Sequence, residues 1–296
     1  MIRPHGWAII DKPLGLTSAQ VVGRIKGSFR RTGIRDLKIG HGGTLDPLAT
    51  GALPIALGEA TKLAGFLLNG RKGYVFAIRF GSQTATDDAE GETVATSDVK
   101  PDAQAITAVL PRFMGAIRQR PPAYSALKVD GRRAYSLARA GKPPELAERT
   151  ITIYDLKLLS VDGDLARFAV SASKGTYVRS LARDLALALG SVGHVAELRR
   201  THAGRFTLDD AISLDNFTEL VQTGGLEQVL KPLTAGLDDI PALAVDPEDA
   251  KALKQGKRLS GSRAQPGHYI ATEGPVPVAL VEATQHDLRV VRGFNF

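Results

Sequence analysis

The chain has 296 residues, 43% of them hydrophobic and 23% charged, with no cysteine and a formal net charge of +7. This composition suits an ordinary packed core, and the missing thiols exclude disulfides, thiolate nucleophiles and thiolate-held zinc or iron–sulfur sites. The charge is uneven: residues 1–72 hold 11 Lys/Arg against 4 Asp/Glu, residues 235–296 hold 7 against 8, so a surface that meets phosphates is expected in the N-terminal part.

In chain order, "WAIIDKPLG" reads as a short buried strand ending in a Pro-Gly turn. "TSAQVVGRIKGSFRR" reads as a helix capped by Thr17 or Ser18, with Val21, Val22, Ile25 and Phe29 on one face. "GYVFAIRFG" (73–81) alternates like a strand, and "TATDDAEGETV" is a polar loop leading to another. "DAQAITAVLPRFMG" is a helix opened by Asp102, and "RRAYSLARAG" a second closed by Gly141. "RTITIYDLKLLSV" and "LARFAVSAS" form a hairpin across "DGD". "YVRSLARDLALALG" is an amphipathic helix ended by Gly190, and "HVAELRRTHAGRF" returns to extended structure. Strands and helices alternate without a βαβ rhythm, which predicts an α+β fold with a mostly antiparallel sheet. The boundary is expected at 234/235, and residues 235–296 read as a small β-rich domain built on "HYIAT", "PVALVEA" and "LRVVRGF".

No run of about 18 apolar residues reads as a membrane span. The start lacks the apolar core of a signal peptide, so a cytoplasmic protein is expected. The histidines, His5, His41, His194, His202, His268 and His286, fall into no H-E-x-x-H pattern, and no metal or cofactor is expected.

Three segments carry the chemistry. "GHGGTLDPLATGALP" (40–54) holds one carboxylate, Asp46. Asp46–Pro47 suits a helix start, with Asp as N-cap. It equally suits a nucleophilic or electrostatic carboxylate, with Gly42 and Gly43 admitting a bulky substrate. In "SKGTYVRSLARDL", Tyr177 and Arg179 share a face if the segment is extended. An arginine there can aim a carboxylate, and a tyrosine can stack on a base. "RQRPPAYSALKVDGRRAYSLARAG" mixes Arg118, Arg120, Lys128, Arg132 and Arg133 with Tyr124 and Tyr135, as a groove for looped RNA would, or as a solvated basic face would.

Together with "IIDKPLGLTS", "GEATK" and "AELRRTHAGRF", these blocks resemble, in order and spacing, the TruB-type tRNA pseudouridine synthases, over roughly residues 4–215. The resemblance implies Asp46 as the catalytic carboxylate and His41 as a contact to the RNA loop. It implies Tyr74 as the base-stacking tyrosine, Tyr177 as a pocket tyrosine and Arg179 as the partner of the aspartate. Leu198 is implied as an apolar pocket wall, with Lys12, Pro13 and Lys62 in support. It further implies an antiparallel-sheet catalytic domain with a PUA-like RNA-binding tail. The implied reaction is cofactor-free isomerisation of the T-loop uridine at tRNA position 55, with the T-arm stem-loop as partner. The enzyme is expected to be a monomer without an obligatory protein partner. The competing expectations are the guide-RNA-dependent H/ACA relative, a non-catalytic tRNA chaperone, and a metal-free glycosylase that releases uracil.

Overall fold

The computed structural model of the chain describes residues 3–125, 127–129, 131–142, 144–237, 240–262 and 264–296. Strand β1 (Gly6–Lys12) leads through a turn into helix α1 (Ser18–Arg31). Thr17 is the cap: its side chain accepts from Gln20 N–H, and the Gln20 side chain answers in a capping box. The glycine-rich block lies between β2 (Ile39–His41) and β3 (Ala49–Leu57). Then come α2 (Ala64–Leu67), β4 (Lys72–Phe80), and a small ribbon of β5 (Ser82–Thr84) and β6 (Thr93–Thr96). Helix α3 (Ala103–Val109) precedes β7 (Gly115–Gln119), the short pair β8 (Lys128–Val129) and β9 (Arg132–Arg133), and α4 (Ala134–Arg139).

The predicted hairpin forms from β10 (Arg149–Asp162) and β11 (Leu165–Ala172). Gly163, with φ 60°, takes the first loop position, where L side chains are disfavoured. Helix α5 (Val178–Ala188) and β12 (Gly193–Ala203) follow, then β13 (Phe206–Thr207), β14 (Ala211–Ser213) and α6 (Leu214–Thr223). The tail holds β15 (Ala242–Ala244), α7 (Pro247–Lys254), β16 (Leu259–Ser260), β17 (Gly267–Glu273), β18 (Val276–Ala283) and β19 (Asp287–Gly293).

The fold is α+β, as predicted. The main sheet runs β14-β1-β3-β12-β4-β11-β10-β7, with β2 on β3 and β13 on β12. Only β1–β14 and β3–β12 pair in parallel within it. Its two faces bury separate cores. Ala8 and Ile10 face α1, α5 and α6, while Trp7 and Ile9 face Leu67, Phe206 and the tail residues Leu280 and Phe294. Burial on both faces explains why "WAII" shows no polar alternation. The tail sheet runs β15-β17-β18-β19-β16. Its helix α7 was not expected from the strand-like reading of that segment.

Candidate active site

Asp46–Pro47 does not open a helix. It opens a turn closed by Ala49 N–H donating to Asp46 O at 3.1 Å, and the chain leaves directly as β3. The loop before it is clamped from several directions. The hydroxyl of Ser18, the first residue of α1, accepts from Leu45 N–H at 2.8 Å. Lys12, at the end of β1, donates to Pro13 O at 2.9 Å, to Leu16 O and to Pro47 O at 3.3 Å. Exposed Pro13 thus contributes its carbonyl to the same clamp. Gly42 and Gly43 admit the protein's own side chains: a Cβ on Gly42 would meet Leu67 Cδ2 at 2.4 Å, and one on Gly43 would stand 3.4 Å from Arg200 Nη1.

Arg179 reaches Asp46. Its Nη2 lies 2.9 Å from Asp46 Oδ2, with the arginine side chain 6% exposed and the aspartate 37%. The fixing group is therefore buried, and the carboxylate is open to a substrate. Tyr177 and Arg179 are not on an extended segment: Tyr177 is the N-cap of α5 and Arg179 lies in its first turn. The fork has three further partners. Nη1 lies 3.3 Å from the buried Asp88 Oδ2 and donates to Thr86 O at 3.0 Å, while Nη2 donates to Tyr124 O at 2.9 Å. Asp88 was not among the expected residues. Its loop is tied to the sheet by a bridge to Val195, a contact with no local signature in "TDDAEG".

Tyr177 is held by the buried Gln119, whose amide accepts from Tyr177 N–H at 2.8 Å and donates to Tyr177 O at 3.1 Å. The Arg149 guanidinium stands 4.8 Å from its ring centroid. On β4 and β12, Tyr74 pairs with Arg200 and Phe76 with Leu198, and Leu198 also pairs with Ala49. This register brings the half-buried Tyr74 and the buried Leu198 beside the Asp46 turn. His41 ends β2, half-buried, with Nδ1 lacking a hydrogen-bond partner. Burial, reinforced by Arg200, lowers its pKa, so its ring is neutral at pH 7. The exposed Glu90 carboxyl is raised by desolvation and by Asp88 and Asp46.

Lys62 is engaged elsewhere. It pairs with Glu59 Oε2 at 2.6 Å and donates to Gly293 O at 2.7 Å, and Asn295 N–H donates to the same Glu59 oxygen at 2.9 Å. It fastens the tail rather than the Asp46 loop. In the basic segment, Arg118 pairs with Glu148 at 2.9 Å and Arg120 with Glu145 at 3.5 Å, while Lys128 and Arg132 are exposed. The Arg133 side chain lies outside the described residues. No group of three His, Asp or Glu placed to hold a metal occurs among the described residues.

Residues 30–178 match the N-terminal domain model of the TruB family pseudouridylate synthases, and residues 179–238 match the C-terminal domain model of tRNA pseudouridylate synthase B. The chain is 52% identical to the tRNA pseudouridine synthase B of Zymomonas mobilis, covering 99% of this chain and 96% of that protein. It is 54% identical to the protein of the same name from Novosphingobium aromaticivorans, over 98% and 97%. Among solved structures, a chain of a Cbf5-Nop10-Gar1 complex superposes with a TM-score of 0.75 at 26% identity, covering 98% of this chain and 84% of that one.

Proposed function

The chain belongs to the TruB family of pseudouridylate synthases, and from that premise we propose that it isomerises the T-loop uridine at position 55 of tRNA, with Asp46 as the catalytic carboxylate. The observation that carries this reading is the Asp46–Arg179 pair, an open carboxylate aimed by a buried guanidinium. The reaction breaks C1′–N1 and joins C1′ to C5 of the same base, while the C5 proton is lost and N1 gains one. Atoms balance without water, oxidant or metal, so one carboxylate at the sugar–base junction is sufficient.

A stacked base is out of reach, and extruding it costs about a few kcal/mol. Stacking on Tyr74 offsets this at about 1–3 kcal/mol. His41, at the mouth of the Asp46 loop, contacts the RNA loop as a neutral imidazole. Tyr177 and Leu198 wall the pocket, and an apolar wall favours re-addition of the base over hydrolysis. Lys12 and Pro13 support the loop, and Lys62 supports the attachment of the tail. Residues 1–234 act as the catalytic domain and 235–296 as an RNA-binding domain. Identity near one half along nearly the full length of relatives named tRNA pseudouridine synthase B, against 26% to the chain from the Cbf5-Nop10-Gar1 complex, supports action without a guide RNA or partner protein.

The test is incubation of the purified cytoplasmic protein with unmodified tRNA in excess EDTA, followed by mapping of pseudouridine and assay of free uracil. Wild type should yield pseudouridine at position 55 and no uracil. Asp46→Asn should bind RNA and yield neither. Released uracil would indicate a glycosylase, and turnover by Asp46→Asn would reject the assignment.

A further inference from the structure

Beside Leu198, strand β12 turns a second side chain inward, Arg200, which none of the roles above uses. It is 1% exposed, and no carboxylate among the described residues lies within ion-pair distance of it. Its donors go to neutral acceptors: Nε to Ala52 O at 2.7 Å, Nη1 to Thr44 O at 3.4 Å and Nη2 to Gly43 O at 3.3 Å. Tyr74 is its cross-strand partner on β4, so ring and guanidinium share one face of the sheet; burial pulls the Arg200 pKa down, and the phenol offsets part of that pull. A buried cation without a counter-ion is costly. A rigid fork of five donors is also the one side chain that spans a strand carbonyl and two loop carbonyls at once. The absent side chain of Gly43 leaves room for it.

We propose that Arg200 is a positioning residue that ties the Tyr74 ring and the Gly43–Thr44 segment into one frame, fixing the separation between the stacking face and the Asp46 carboxylate. The proposal rests on the functional reading above. A nucleotide stacked on Tyr74 is thereby delivered to Asp46 at a set distance, and misplacement by an ångström costs about 100-fold in rate.

The test uses the full chain and a T-arm stem-loop RNA. Tyr74→Phe keeps the ring and removes the tie. It should raise hydrogen exchange across residues 40–48 of the free enzyme and lower the single-turnover rate by about 10- to 100-fold, with stem-loop affinity little changed. A lower rate with unchanged exchange would mean the hydroxyl acts on the substrate directly, and would overturn the proposal. A wild-type rate, whatever the exchange, would overturn it too. Arg200→Lys keeps the charge and loses the fork. Where it folds, its effect on rate and that of Tyr74→Phe should not add in the double variant, and additive effects reject the tie. Exchange is read on free enzyme, so a wild type that made no pseudouridine would sink the functional reading while leaving the exchange result standing.

Discussion

Arg179 serves Asp46, Asp88, Thr86 O and Tyr124 O from one guanidinium. A lysine keeps the charge but offers a single point of attachment. Arg179→Lys should therefore lower the single-turnover rate by about 10- to 100-fold, while filter binding shows near-normal affinity. If the arginine were a phosphate ligand, binding and salt dependence would change instead of rate. Asp46→Asn should fold, because Asp88 still balances the buried arginine. Lys12 gives a pH signature: burial pushes its pKa from 10.5 down to about 8, against the pull of Asp46 and Glu90. Its folded pKa lies below the unfolded value. Below pH 8 both states are protonated, and the folded chain bears the full burial penalty. From pH 8 to 10.5 the folded chain sheds protons that the unfolded chain keeps, so stability rises. Lys72, lowered likewise to about 8, adds in the same direction. Urea unfolding across that window should show a shallower rise for Lys12→Met than for wild type, and equal slopes would refute the shift.

Two Asp-Pro pairs show how far elements were legible in the sequence. Asp246–Pro247 opens helix α7, with the Asp246 side chain accepting from Asp249 N–H at 2.8 Å. Asp46–Pro47 opens a turn into β3. The residues after each proline decide between the two outcomes. Glu248 to Lys254 are helix formers with Ala250 and Leu253 buried on one face, whereas Thr50 and Gly51 lead into a strand. Gly51 has φ 98°, and a Cβ there would meet Arg200 O at 2.2 Å, so it marks where β3 and β12 press together in parallel. Gly51→Ala should cost about 2–3 kcal/mol in urea unfolding. Gly15→Ala, at φ 82° with nothing within 4 Å, should cost about 1–2 kcal/mol; equal losses would mean strain alone matters at Gly51. The hairpin, capped helices and antiparallel character follow from local pattern. The Asp46–Arg179 pair was available only through resemblance, since 132 residues lie between its members and only tertiary folding joins them. Asp88 has no signature in its local sequence. Arg200 had a signal, a charge at an inward position of the alternating strand "ELRR".

At the scale of the whole molecule, the positive charge collects where α1 ends and β2 begins. Lys26, Arg30, Arg35 and Lys38 rim a hollow of about 250 Å³ floored by Phe29, Leu37 and Ile39, with Asp36 the one acid in its lining. Strand β2 runs from there to His41. Neutralising Arg30, Arg31 and Arg35 should reduce the slope of log affinity against log salt by about 2, more than neutralising Lys251, Lys254 and Lys257. Equal effects would place as many phosphates on the tail. The order of the sheet has one more consequence. Strand β12 lies between β3 and β4, yet it is synthesised about 110 residues after β4, a delay of about 5–20 s at ordinary elongation rates. Until it emerges, β3 and β4 present open edges to each other's missing neighbour and to any other chain nearby. A nascent or clipped protein ending before Gly193 possesses Asp46 but neither Leu198 nor Arg200 beside it. On the roles proposed above, the site is incomplete until about two-thirds of the chain has been made, and over that interval the open edges are free to pair with other chains.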